Sequence, residues 1–266
     1  MARHIEAWMD GVRLADLGAI VIRDVSEPDP EMEIEYINRA TRGGRDIQKR
    51  RRKALRVTIE AAIHELYDLN KRTAIRDAIA KWSSGSILEL SNHPDRRLNV
   101  ICLTEPGIGS VRDFNSQLNI ELEANVIPYW EDKLANTASG SGSSGSATLY
   151  IPGTAKEVPV DVTVASGNAL SSLTVMVACG GVTKRIKLSD MSSVTGAITF
   201  SRDEDDRLQI MSGSTNLLPY RVMNWTESNV VYWSADDLVV PAGTATVSWS
   251  ASANRSVTFS ARGRWL

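Results

Sequence analysis

Cysteine is scarce in this 266-residue chain: Cys102 and Cys179 are the whole complement and stand 77 positions apart. That spacing builds neither a disulfide framework nor a metal knuckle, and it suits synthesis in a reducing cytoplasm. Long hydrophobic runs are missing as well. No apolar stretch approaches the roughly 18 residues that span a bilayer. Arg3, Glu6, Asp10, Arg13 and Asp16 interrupt the N-terminus where the apolar core of a signal peptide would lie. The chain is therefore expected to have no membrane partner. Charge of one sign is not in excess either, with 30 Lys and Arg against 32 Asp and Glu and a net charge of -2. This balance disfavours a generally basic nucleic-acid binder and leaves room only for a local basic patch. What remains, 42% hydrophobic and 23% charged residues, is the composition of a folded domain rather than a disordered chain.

Catalytic signatures are also lacking. The sequence has no G-x-S-x-G, HExxH, CxxC or Walker loop. Of the three histidines, His4, His64 and His93, none has a nucleophile motif to serve. His64 ends a strand-like run, and His93-Pro94-Asp95 has turn composition. The sharpest carboxylate cluster, Asp203-Glu204-Asp205-Asp206, lacks EF-hand spacing and sits between two strand-like runs, so a solvated hairpin turn is its plainest reading. No carboxylate pair stands out for glycoside hydrolysis, whose geometry is a three-dimensional matter. No catalytic residue, metal site or cofactor is expected.

What the chain does have is strand patterning. Met32, Ile34 and Tyr36 alternate with Glu31, Glu33 and Glu35, and Leu55, Val57, Ile59 and Ala61 with Arg56, Thr58 and Glu60. Leu118 to Val126 repeats the pattern, and Asp10-Gly11 signals a hairpin. One helix is expected from about Leu69 to Trp82, with Ile75, Ala78, Ile79 and Trp82 on one face, Asp68 as cap and Gly85 beyond the end. At Ser139 to Ser146 the sequence reads SGSGSSGS, a run with nothing to bury. It is expected to be an inter-domain linker, over the alternatives of a surface loop or an engineered insertion. Charge density changes there: residues 1–135 hold 20 Lys and Arg and 22 Asp and Glu, and residues 136–266 hold 10 of each. Beyond the run, short valine-rich strands recur from Val158 to Ala261 with turns every 8–12 residues, the pattern of a two-sheet sandwich. Trp225, Trp233, Trp249 and Trp265 all fall in its last third and read as core or interface before they read as a sugar platform. The expected organisation is a β-domain with one helix over 1–135, a linker over 136–147 and a β-sandwich over 148–266.

The strongest electrostatic feature is the run Arg42, Arg45, Lys49, Arg50, Arg51, Arg52, Lys53 and Arg56, eight cations against Asp46 alone. Upstream lie Asp24, Glu27, Asp29, Glu31, Glu33 and Glu35, with no cation among them. Three readings are open. The run is a nucleic-acid footprint, one of two complementary faces joining identical subunits, or a solvated loop. The second is preferred, because a strand and its following loop cannot cancel both sets of charge within one chain when alternate residues point to opposite faces. Arg42, Arg45, Lys49, Arg50, Arg51, Arg52 and Lys53 with Glu31, Glu33 and Glu35 are thus the candidate subunit interface.

The order of these parts resembles the distal tail proteins of long-tailed bacteriophages, the Dit-type or siphovirus tail component family. The residues that carry the resemblance are the N-terminal hairpin Ile5–Leu17 with Leu17-Gly18-Ala19-Ile20, the loop Arg42-Gly43-Gly44-Arg45-Asp46, the strand Leu55–Ala61 and the helix Leu69–Trp82. In the second half they are Pro152-Gly153-Thr154-Ala155-Lys156-Glu157-Val158-Pro159 and Leu238-Val239-Val240-Pro241-Ala242-Gly243, the latter similar to the family's Pro-x-Gly turn before its final strands. The resemblance implies a mainly β fold: an N-terminal β-sandwich-like belt domain with one helix, and a C-terminal galectin-like antiparallel β-sandwich. It further implies a structural hub without enzymatic activity, in a homo-oligomeric ring, usually a hexamer, at the tail tip or baseplate. Its partners would be the tail tube protein, the tail hub or tip protein, the tape-measure protein and receptor-binding or side-fibre proteins. DNA would only pass through the channel. Such a protein would be made in the host cytoplasm and reside in the virion tail. A carbohydrate-binding adhesin or module is the alternative, and a hydrolase the third reading.

Overall fold

The computed structural model describes residues 5–38, 45–63, 69–104, 106 and 116–266, with backbone alone for 37–38, 45–51, 69, 72 and 116. The chain divides into two compact units, Met1–Trp130 and Glu131–Leu266. Both are built on antiparallel sheets, as the alternating patterns require.

In the first unit the sheet runs in the order Val12–Arg13, Ala7–Met9, Ile87–Leu90, Arg96–Cys102, Ser116–Ala124, Arg56–Ile63 and Ile20–Ser26. Asp10 and Gly11, both at positive φ, make the two-residue turn that pairs Met9 with Val12. The Asp10 carboxylate also accepts the N–H groups of Ser86 and Ile87, which fixes the next strand beside the hairpin. Val57, Ile59, Leu98, Leu118, Ile120 and Leu122 are buried on one face. The helix Leu69–Ser83 buries Ile79 and Trp82, whose indole N–H donates to the Val12 carbonyl at 2.7 Å. The expected cap Asp68 lies outside the described residues.

The second unit is organised by two long strands, Asn136–Ile151 and Gly243–Ala261, paired along nearly their whole length with a register shift between Gly142 and Ser144. The first half of Gly243–Ala261 also pairs with Leu173–Cys179, which pairs in turn with Val182–Leu188. Its second half pairs with Asp161–Val164, followed by Ile198–Arg202 and Leu208–Ser212. One pair of strands thus belongs to both layers of a sandwich. Trp249 from one half and Phe259 from the other meet in the core with ring centroids 6.4 Å apart. Val162, Val164, Val175, Val177, Val247 and Val257 fill the space around them, fully buried.

Two expectations need correction here. The run 139–146 is not a linker but the middle of the Asn136–Ile151 strand, and the second unit begins at Glu131 rather than after the run. The physical reason lies in the partner. Cβ atoms at Gly140 and Gly145 would stand 2.2 Å and 2.4 Å from the Trp249 ring, so glycine is what lets this indole lie against the strand. The runs around Ala245–Trp249 and Ser256–Ala261, expected as separate strands, are one continuous strand.

Candidate functional site

The charged segments form a hairpin of their own. Met32–Asn38 pairs antiparallel with Arg45–Arg52 and, among the described residues, with no other strand. The basic run is therefore largely strand rather than loop. In register, Glu33 lies opposite Arg51 and Glu35 opposite Lys49, so acidic and basic residues occupy facing positions of one chain. Directly opposed unlike charges favour such a pairing. The premise that the two segments cannot neutralise each other within one chain is thereby corrected: the run is not a following loop but the partner strand.

At the base of the hairpin the Lys53 ammonium donates to the Glu31 carboxylate at 2.6 Å, and the Lys53 backbone N–H donates to the Glu31 carbonyl at 2.9 Å. That side-chain hydrogen bond, reinforced by the ammonium charge, holds the Glu31 carboxyl below its ordinary range and raises the Lys53 ammonium above its own. Arg56 pairs with Glu123 across the neighbouring strands at 2.9 Å. Glu31, Glu35 and Lys53 are exposed, as are Met32 and Tyr36 on the same hairpin, while Glu33 and Arg52 are half-buried. Arg45, Lys49, Arg50 and Arg51 are placed by backbone alone, and Arg42 lies outside the described residues.

Of the histidines, His4 and His64 lie outside the described residues. His93 sits 3.1 Å from a Glu27 carboxylate oxygen and packs on Trp130 at 4.9 Å, an arrangement with no nucleophile in it. The acidic cluster forms a turn: the Asp203 carboxylate accepts the N–H groups of Asp205 and Arg207. Asp206 departs from the solvated reading. Its two carboxylate oxygens accept from the buried Arg264 guanidinium at 2.9 Å and 3.0 Å, and Glu131 binds the same guanidinium at 3.2 Å. Nothing in the local sequence announces that contact, since its partner lies 58 positions away. Among the described residues, no group of three His, Cys, Asp or Glu side chains is placed to hold a metal ion.

The tryptophans divide. Trp225 and Trp249 are buried, as expected, but Trp233 is 69% exposed on the hairpin Asn224–Glu227/Val230–Trp233, beside exposed Val231 and Met223. Period-2 alternation could not have assigned its side, because among the described residues this hairpin pairs with no other strand.

The architecture is that of a two-unit, mainly β chain with one α-helix among the described residues, and it is similar to solved structures of phage tail proteins. Three of these structures illustrate the likeness. Over 98% of this chain and 99% of the other, it superposes with a TM-score of 0.69 and 13% identity on the SPP1 Dit protein, described as a paradigm of the hub adsorption apparatus in phages infecting Gram-positive hosts. It also matches a chain of the phage P2 baseplate in its activated conformation with Ca, at TM-score 0.52 and 10% identity over 99% of this chain and 98% of that one. A chain of the p2 baseplate activated with Sr matches at TM-score 0.51 and 9% identity, over 97% of each chain. No protein-family model and no curated protein sequence matches.

Proposed function

We propose that this chain is a structural hub protein of a phage tail tip or baseplate. The observation that carries this reading is the likeness to the SPP1 Dit protein over 98% of this chain and 99% of that one, a span that takes in both units. A shared fold does not by itself transfer a function. Here it is joined by a sequence without nucleophile, metal-knuckle or phosphate-loop motifs, as suits an assembly protein rather than an enzyme. In this reading the first unit closes into a homo-oligomeric ring, six copies in the form usual for the family, around a channel through which DNA passes. The second unit offers docking surface to receptor-binding or side-fibre proteins, and the tail tube, tip and tape-measure proteins bind along the ring axis. The protein is made in the host cytoplasm and ends in the virion tail.

The charged hairpin supports a role at the ring interface. An isolated two-stranded hairpin is marginal in water, and this one exposes Met32 and Tyr36. A neighbouring subunit that covers it would supply the missing burial, with Glu31, Glu33, Glu35, Arg52 and Lys53 setting register rather than strength. A head-to-tail contact of this kind closes a ring when its rotation divides a full turn.

Mixing two charge-reversed proteins tests this. One carries Arg50, Arg51 and Arg52 changed to Glu; the other carries Glu31, Glu33 and Glu35 changed to Lys. Each alone should fail to assemble by sedimentation. If the charges meet between subunits, the mixture assembles. If they matter only within one hairpin, the mixture stays dissociated and only the chain carrying all six changes recovers, which would overturn the interface assignment.

A further inference from the structure

The second unit carries a groove that the hub reading does not use. Its floor is the outer face of Val182–Leu188, Leu173–Cys179 and Gly243–Ala261, a face that Asn136–Ile151 continues beyond the groove. Register places Lys187, Thr174, Ser250 and Ser144 in one row across these four strands, and Arg185, Met176, Ser248 and Ser146 in the next. The valines and Trp249 at the alternating positions point into the core, so this face is left with hydroxyls. Ser144, Ser146 and Ser250 are exposed, and Thr174 and Ser248 half-buried.

One side of the groove is a wall. The hairpin Asn224–Glu227/Val230–Trp233 turns through Ser228 and Asn229, both at positive φ, and lays one face on the sheet's edge. Trp225 and Tyr232 stack on each other with centroids 5.7 Å apart. The Arg185 guanidinium lies 4.1 Å over the Tyr232 ring, and the Lys187 ammonium 5.3 Å over Trp225. Arg185 also donates to the Met176 sulfur at 3.1 Å. Among the described residues neither cation forms an ion pair with a carboxylate, although both stand in the groove. Glu227, the acidic residue of the lining, is exposed near the hairpin's turn. The open groove offers about 530 Å³, within the range of small-ligand sites of roughly 300–1,000 Å³.

We propose that this groove binds an anionic glycan: a chain of sugar or polyol units bearing carboxylate or phosphate groups. Two cations held in place by aromatic faces and lacking a carboxylate partner are pre-arranged for an acid group. The hydroxyl floor meets the ligand's own hydroxyls, and its small side chains let a chain lie flat across the strands. A neutral glycan would leave both cations without a counter-charge. The proposal does not depend on ring formation.

The test is titration calorimetry on the full chain with four probes: an oligogalacturonate hexamer, a glycerol-phosphate hexamer, neutral maltohexaose and the oligonucleotide dT8. Saturable binding of one or both acidic oligomers is expected, with no binding of maltohexaose and weaker binding of dT8. The acidic oligomer that binds tighter identifies carboxylate or phosphate as the natural group. Lys187→Gln and Arg185→Gln should each weaken binding about tenfold, the worth of one charged hydrogen bond. Glu227→Gln removes an exposed like charge and should strengthen it, a readout that stands even if an Arg185 variant disturbs the hairpin. Inert acidic oligomers, affinities indifferent to all three substitutions, or equal affinity for dT8 would each overturn the proposal. So would capture of a protein partner through exposed Trp233 with no response to any oligomer.

Discussion

Two hairpins of this chain stand in contrast. The charged hairpin, Met32–Asn38 with Arg45–Arg52, has sharp alternation and a sharp charge pattern, yet pairs with no further strand among the described residues. The long hairpin, Asn136–Ile151 with Gly243–Ala261, contains the least structured-looking run in the sequence and is the centre of the second unit. Vivid local pattern and structural weight are different properties. A strand's own residues show how it meets solvent, whereas its place in the core depends on what the partner brings. Trp249 supplies the bulk that SGSGSSGS lacks, and the glycines supply the room.

The sharpest way to break this contrast is to remove the bulk. Trp249→Ala should cost about 3–5 kcal/mol, the range for emptying a buried aromatic site, and thermal unfolding of the second unit would report it. Arg255 comes next. It is 4% exposed and donates to the carbonyls of Ala165, Asn168, Val194 and Gly196, pinning two loops and pairing with no carboxylate among the described residues. Arg255→Leu leaves those carbonyls short of donors and should cost about 2–4 kcal/mol. Gly145→Val, whose Cβ would overlap the indole, should cost about 1–3 kcal/mol. If it were silent, the close approach of strand and indole would be the wrong explanation for these glycines. Limited proteolysis sharpens the same point: residues 139–146 should resist cleavage, where a linker would be cut first.

The smallest effect concerns Asp161, whose carboxyl is pushed above its ordinary value chiefly by burial, with the Arg202 charge opposing. A raised carboxyl pKa means the folded state holds this proton more tightly than the unfolded one. The penalty of ionising it is absent below the ordinary value of 3.8 and grows as pH rises through the folded value. Asp161→Asn should therefore raise the melting temperature at pH 7 slightly, with the difference vanishing near pH 3. Arg202 keeps Asp237 as partner in the variant.

Much of the fold was legible because burial was written into alternation. Asp161 to Val164, Leu173 to Val177 and Leu118 to Ala124 are strands with their apolar side inward, and Ile79 and Trp82 mark the buried side of the helix. The alternation from Val158 is, however, broken at Val160 into two strands of different sheets. What escaped was pairing at long range. Nothing near residue 140 foretells an indole at 249, nothing near Asp206 foretells Arg264, and nothing in the basic run shows that its counter-charges lie across a hairpin in the same chain. Of the candidate sites, the charged segments were found from composition. The groove was missed, because its two cations and the hydroxyls of its floor come from three strands that only the sheet brings together.

The hub assignment meets its most direct test in native mass spectrometry of the full chain at low and moderate salt. A closed ring of identical subunits is the species expected under the proposed function, and moderate salt should slow its assembly more than it shifts its final mass. A chain that stays monomeric across the accessible concentration range, alone and with a tail-tube protein added, would contradict the account.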